Sequence, residues 1–170
     1  MTWLIRAGLG SALASCLACY SYSPLDSSPK VKVDPRLLGA WRCLPPDAES
    51  SDEAAVSVVA DGTREYRITW REKEKEEADR YRAFGSSVRG AAYLNVRPDE
   101  AGDSSSRQWV FVRYGFLRSN VLYAELVDEE VFKEDASSSS ATAARATLEK
   151  VLERTPGAVK GFAVCVRKGE

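Results

Sequence analysis

Residues 56–71, VSVVADGTREYRITWR, carry the clearest strand pattern in the chain. Its two parts, residues 56–60 and 64–71, flank Asp61-Gly62, a pair typical of tight turns between antiparallel strands. In the second part apolar and polar side chains alternate, which places the apolar ones on a single face of a strand. That face consists of Tyr66, Ile68 and Trp70. The stretch therefore predicts a β-hairpin with one buried face.

Other short segments of strand character surround this hairpin at even spacing. They are Leu38 to Cys43, Arg80 to Val88, Ala91 to Arg97, Gln108 to Tyr114 and Leu117 to Val127. Turn signals separate them at Arg89-Gly90 and Gly115, and the mixed-charge run at residues 71–80 is typical of a solvated hairpin tip. Short strands joined in this way predict an antiparallel meander that closes into a β-barrel or a strongly curled sheet.

The tail of the chain changes to a helical period. Ser140 is a suitable N-cap, and Thr155-Pro156-Gly157 ends the pattern. The apolar face of this segment consists of Ala144, Leu148, Val151 and Leu152. We expect one C-terminal helix packed against the sheet, followed by a final short strand from Gly161 to Arg167.

The first fifteen residues have the features of a secretory signal. Arg6 precedes a short apolar run, and small residues lead up to Cys16. Leu13-Ala14-Ser15-Cys16 resembles the lipobox of bacterial lipoproteins. That resemblance implies cleavage before Cys16 and attachment of diacylglycerol and further acyl chains, such as palmitate, to this residue. The alternative is an ordinary cleaved signal that leaves Cys16 or Cys19 for a disulfide.

The remaining chain divides into a linker and one domain. Residues 16–35 are rich in serine and proline, a composition that predicts a disordered tether. Residues 36–170 are long enough for a single domain with its own core. Some enteric lipoproteins carry an acidic retention signal directly after the lipidated cysteine. Here that position is Leu17, and the absence of the signal favours the outer membrane. We expect a cell-envelope protein held by its lipid and facing the periplasm or the exterior.

Composition excludes several classes of chemistry. The chain has no histidine, and its formal net charge is −1. Imidazole bases and His-ligated metals are therefore absent, and clustered cations for nucleic-acid binding are lacking. We predict no cofactor, no metal site and no enzymatic activity. The single weak candidate for acid–base chemistry is Glu125, on the strand face of Tyr123 and Val127.

The first and last strands resemble those of lipocalins and related calycins. Leu38-Gly39-Ala40-Trp41 resembles their G-x-W opening, and residues 92–96 and 109–114 resemble segments of lipocalin-like bacterial lipoproteins. The resemblance implies a barrel whose base is closed by Trp41, with an arginine stacked on it that corresponds to Arg167. The chain departs from the family in having seven predicted strands before the helix and no T-D-Y motif.

The resemblance also brings Cys43 and Cys165 to neighbouring strands, where they would form a disulfide. Cys43 shares a strand face with Trp41, whereas Cys165 lies opposite Phe162, Val164 and Val166 in the alternation. If the latter three residues point inward, the cysteines lie on different faces unless a bulge intervenes. The sequence leaves this bond open.

Two functions remain after these exclusions. One is a tethered binding domain for a small apolar ligand or a lipid, with a cavity lined by Trp41, Tyr66, Ile68, Trp70, Tyr93 and Trp109. In the other, these aromatic residues fill the barrel, and the protein is an accessory subunit of an envelope complex. The acidic loop Asp47 to Glu53 and the charged hairpin Glu72 to Glu77 would then contact the partner protein.

Overall fold

The computed structural model of the protein describes residues 23–45, 53–99, 109–128, 140–155 and 157–169. Within these ranges the chain forms eight strands and one helix. In chain order they are β1 (Gly39–Leu44), β2 (Ala54–Asp61), β3 (Glu65–Glu72), β4 (Asp79–Val88), β5 (Ala91–Pro98), β6 (Val110–Arg118), β7 (Val121–Val127), α1 (Ala141–Arg154) and β8 (Val159–Arg167). The predicted signal peptide, with Cys16 and Cys19, lies outside the described residues.

The strands form a closed antiparallel barrel in chain order. Each strand pairs with the next, and β8 pairs back with β1, where Trp41 lies opposite Arg167. Closure leaves no free edge for pairing with another chain. The mainly β fold, the meander order, the helix and the final strand are as the sequence predicted, and the barrel is consistent with a lipocalin-like fold.

Two tight turns at one end of the barrel follow the predicted turn chemistry. The β2–β3 hairpin closes at the Asp61 and Glu65 pair, where Gly62 has a φ of 75°. Arg89 and Gly90 link β4 to β5 with φ values of 52° and 81°. Positive φ at both positions matches the twist of the flanking strands. The end that carries these turns is called the base, and the opposite end the mouth.

Gly115 does not form the predicted turn. It lies inside β6, which continues to Arg118 and turns at Ser119 and Asn120. A Cβ atom at position 115 would lie 2.4 Å from the hydroxyl oxygen of Tyr123. The glycine therefore makes room for an aromatic ring on β7, a use of glycine within a strand that a turn signal does not reveal.

The barrel has one core inside its wall. Side chains from all the strands meet there with those of the segment that precedes β1. Its fully buried members are Leu37, Trp41, Cys43, Ala54, Val56, Val58, Tyr66, Ala83, Leu94, Leu122, Ala163 and Cys165. These positions alternate along the strands with residues that face outward, as the period-two pattern predicted.

A second core lies on the outside of the wall. Helix α1 starts at the predicted N-cap, where Ser140 Oγ accepts a hydrogen bond from the amide of Ala143 at 3.2 Å. The helix buries Ala144 and Leu148. Leu148 packs against outward-facing side chains of strands β4 to β6, namely Val88, Tyr93 and Phe111. One wall of the barrel is therefore covered on both faces.

Residues 23–38 are called the N-terminal strap. Its residues 23–35 lie docked on the barrel, where the sequence predicted a disordered tether over residues 16–35. Leu25 is 1 % exposed and packs in the outer core beside Leu148. Farther along, the amide of Val33 donates to the Thr63 carbonyl at 2.9 Å, which brings the strap across the base. A segment rich in serine and proline can therefore dock on a barrel when it contains an apolar residue, such as Leu25, that becomes buried there.

A polar network fixes the strap to the barrel wall. The amide of Leu25 donates to Asn95 Oδ1 at 2.7 Å, and Asn95 is fully buried. Asp26 accepts hydrogen bonds from Ser86 at 2.6 Å and from Arg145 of α1 at 2.9 Å. Each buried polar group in this set thus has a partner, which avoids the cost of leaving it unsatisfied.

Cys43 and Cys165 form a disulfide between β1 and β8, with an S–S distance of 2.06 Å. The inward position of Cys165 arises from a bulge, because Ala124 pairs with Ala163 and Glu125 pairs with Gly161, leaving Phe162 as the extra residue. Closing a loop of 122 residues contributes about 4–5 kcal/mol in the chain-entropy model.

Val164 and Val166, whose orientation the sequence left open, point outward. They are 39 % and 40 % exposed on the outer face of the barrel. Because of the bulge, Phe162 and Ala163 both pack against the inner core, and the alternation after them is shifted by one residue.

Truncation of Leu25 tests whether the strap is part of the folded domain. We expect Leu25→Ala to lower the free energy of unfolding by about 2–4 kcal/mol, because it opens a cavity under the strap. Val31→Ala is the matched control, since Val31 lies on the same strap and is 41 % exposed. It should change stability by less than about 0.5 kcal/mol. Equal effects of the two changes in urea unfolding would contradict a docked strap.

Candidate functional site

The structure separates the six predicted cavity residues into two groups. Trp41, Tyr66, Ile68 and Trp70 belong to the inner core of the barrel. Tyr93 and Trp109 do not, since both pack in the outer core with Phe111 and Leu148. Their assignment to the cavity was wrong because the wall that carries them is buried on both faces, so that an apolar residue there need not point inward.

The base of the barrel is filled and sealed. Trp41 and Tyr66 are each 1 % exposed, and the Trp41 ring lies 6.4 Å from that of Phe116. The phenol oxygen of Tyr66 accepts a hydrogen bond from the Asp34 amide of the strap at 2.7 Å. Packing alone explains these aromatic residues, without a ligand. They close this end of the barrel, as the lipocalin resemblance implied for Trp41.

Arg167 completes the seal. Its guanidinium carbon lies 4.4 Å from the centroid of the Trp41 ring, as the resemblance implied. The same group donates to the carbonyl of Leu38 at 2.6 Å and to that of Arg36. The last strand is therefore fastened to the strap as well as to β1.

The inner side chains nearer the mouth are only half-buried. Trp70 is stacked at 5.5 Å on Phe162, with an angle of 31° between the rings. Ile68, Val96 and Val112 contact the same core and are also partly exposed. The inner side chains are therefore less buried toward the mouth than at the base.

Trp70 carries an unsatisfied hydrogen-bond donor. Its Nε1 atom is shielded from solvent and has no hydrogen-bond partner among the described residues. An indole N–H is a donor only, and leaving a buried donor without an acceptor costs about 1–3 kcal/mol. A ligand with an acceptor oxygen at this position would remove that cost.

A charged rim surrounds part of the mouth. Glu72 lies at the end of β3 and Asp79 at the start of β4, in register with the inner residues Ala54 and Trp70 respectively. The ammonium group of Lys75 lies 3.2 Å from a carboxylate oxygen of Glu72 and 3.8 Å from one of Asp79. The mouth therefore combines an apolar interior with polar groups at its edge.

Burial raises the pKa values of phenols inside the barrel. Burial, with smaller contributions from the carboxylates of Asp79 and Glu72, raises the pKa of Tyr81 to about 12. Burial also raises the pKa of Tyr114. An environment that disfavours charge on these phenols also disfavours an anionic group placed deep in the barrel.

The sequence had not identified the mouth residues Tyr81 and Phe162. Tyr81 lies across from Ile68 in the β3–β4 pairing, so its inward position follows once the register of that hairpin is known. Phe162 reaches the interior through the bulge in β8. Bulges have no reliable signal in a single sequence, and this contribution to the site could not be predicted.

The other predicted surfaces have different outcomes. Glu125 lies on the outer wall, where its carboxylate accepts a hydrogen bond from Arg113 Nε at 2.6 Å. In the Asp47 to Glu53 loop only Glu53 is among the described residues, and the Glu72 to Glu77 hairpin is linked internally through Lys75.

The described ranges contain no group of three or more side chains placed to bind a metal ion.

Comparisons with protein-family models, with curated proteins and with solved structures return no match for this chain. In the part of the chain that the structure describes, no helix has the length and apolarity needed to cross a bilayer.

The shifted pKa of Tyr81 predicts a loss of stability at alkaline pH. Between the ordinary value of 10.0 and about 12, the unfolded phenol has lost its proton while the folded one retains it. Stability must therefore fall as the pH rises through this range. The free energy of unfolding, measured in urea at a series of pH values, should depend on pH in the same way for the wild type and Tyr81→Phe below pH 10. Above pH 10 it should fall less for the variant. Parallel curves throughout would contradict a buried Tyr81 phenol.

Proposed function

We propose that this chain is a lipid-anchored protein of the bacterial cell envelope whose lipocalin-like barrel binds a small neutral amphipathic molecule at its mouth. The observation that carries the binding proposal is the unsatisfied indole N–H of Trp70 in a half-buried apolar interior. The ligand would place an apolar part against Ile68 and Phe162 and an acceptor oxygen near Trp70. Any more polar end would lie at the rim formed by Glu72 and Lys75.

The anchoring proposal is supported by the leader. The Leu13-Ala14-Ser15-Cys16 stretch at the foot of a short apolar run resembles a lipobox. Several acyl chains on Cys16 would hold a folded domain stably on a bilayer, whereas one chain binds only marginally. Leu17 favours the outer membrane as the location. Binding of this kind needs no cofactor and no catalytic group.

A second candidate is an accessory subunit that binds an envelope protein with a ligand-free barrel. The observation that favours it is an exposed apolar patch on the outer face of β8 and β1. Leu44 is 39 % exposed and lies in register with Val164, which is also 39 % exposed. Exposed apolar patches are common at protein interfaces.

Native mass spectrometry of the full chain, purified from membranes in mild detergent, separates these proposals. A small molecule bound in the barrel would add mass that is lost on denaturation, while acyl groups on Cys16 would remain. A denatured mass without acyl groups would refute the anchor. A native mass without any released ligand, from gently purified protein, would refute the carrier proposal and favour the accessory subunit.

The role of Trp70 is tested with a fluorescent long-chain fatty acid methyl ester as the probe, because its ester oxygen is a neutral acceptor. Trp70→Phe keeps an aromatic ring but removes the N–H, and we expect about fivefold weaker binding from the loss of one neutral hydrogen bond. Trp70→Ala should weaken binding further. Val59→Ala is the control, since Val59 is exposed on the outer face of β2. Unchanged affinity in both Trp70 variants would contradict this site.

A further inference from the structure

We infer that the wall of the barrel beside the start of the strap lies against the bilayer, with a groove there in contact with phospholipid headgroups. This inference rests on the proposed lipid anchor at Cys16. It adds an orientation and a second contact surface, outside the barrel and separate from the mouth.

The reach of the anchor is short because the strap is fixed. The chain is held to the wall from Leu25 onward through its contacts with Asn95 and α1. Seven residue steps separate Cys16 from Ser23, and a fully extended chain of that length spans at most about 25 Å. The lipid surface therefore lies within that distance of Ser23, and the wall beside the strap is the wall nearest to it.

The groove lies at this point of the wall. It has a volume of about 180 Å³ and is lined by strap residues, including Pro24 and Ser28, and by Phe84 and Trp109 of the barrel. The two aromatic rings meet edge to face, with their centroids 5.4 Å apart. Tryptophan is enriched where proteins meet the headgroup region, because its ring is apolar and its N–H is polar.

The groove also offers a cation for a phosphate group. Arg97 lies over the Trp109 ring, with its guanidinium carbon 5.2 Å from the ring centroid. In the described part of the chain Arg97 has no acidic partner, whereas Arg82 is paired with Asp99 at 2.6 Å. Glu65 is the carboxylate among the lining residues, beside the two arginines. An arginine stacked on an interfacial tryptophan suits an anionic headgroup.

The wall opposite the groove lies on the side of the barrel away from the anchor. Val164 lies on β8, four strands around the closed barrel from β4, which carries Phe84. The exposed patch of Leu44, Val164 and Val166 therefore faces away from the bilayer in this orientation. It stays available to other molecules while the groove side is occupied by lipid.

Photo-crosslinking tests the orientation with the full lipidated chain in vesicles of phosphatidylethanolamine and phosphatidylglycerol. A benzophenone amino acid is placed at the position of Ser28, beside the groove, or at that of Val164, on the opposite wall. We expect phospholipid adducts at the first position and a much lower yield at the second. Equal or reversed yields would overturn the inference.

The groove residues are tested in the same vesicles. Arg97→Gln should lower the adduct yield at Ser28 about fivefold, the effect of losing one cation near an anionic surface. Arg118→Gln, at the exposed end of β6 on the base, is the control and should leave the yield unchanged. An unchanged yield in Arg97→Gln would overturn the headgroup contact.

The same samples distinguish a failed orientation from a failed anchor. Acyl groups on the Cys16 peptide with equal adducts at both positions would refute the orientation alone. An unacylated Cys16 peptide together with no adducts would refute the orientation and the anchoring proposal at once. Neither result depends on whether the mouth of the barrel holds a ligand.

Discussion

The contact on which the rest of the structure depends is that between Arg167 and Trp41. It joins the last strand to the first through a guanidinium 4.4 Å above the indole ring. The same guanidinium bonds to carbonyls of the strap that precedes β1. The disulfide between Cys43 and Cys165 links the same two strands one pair of inward residues farther on. The residues that close the barrel between β1 and β8 therefore also close its base.

This closure makes the two ends of the barrel different. Aromatic side chains at the base are fully buried and serve packing, whereas Trp70 at the mouth is half-buried and keeps a donor without a partner among the described residues. Since the strap seals the base, the mouth is the end at which we propose that a ligand enters. The strap that seals the base also fixes where the chain leaves the wall, so the same segment affects both the proposed binding site and the proposed orientation.

Much of the fold could be predicted because alternation along strands reports which face is apolar. This worked for Tyr66 and Trp70, whose outward neighbours are polar. It failed for Tyr93 and Trp109, because the strap and α1 bury the outer face of that wall and remove the contrast on which the pattern depends. It also failed in β8, where the bulge at Phe162 shifts the alternation. The docking of Leu25 arises from tertiary contacts that local composition does not show.

The most direct test of this account is a double-mutant cycle between Trp41 and Arg167, measured by urea unfolding. Trp41→Leu removes the ring, and Arg167→Met removes the guanidinium while keeping most of the stem. A contact that closes the barrel should give a coupling free energy of about 1–2 kcal/mol between the two positions. Additive effects of the two substitutions would show that the stacked pair does not hold the base together, and would contradict the account.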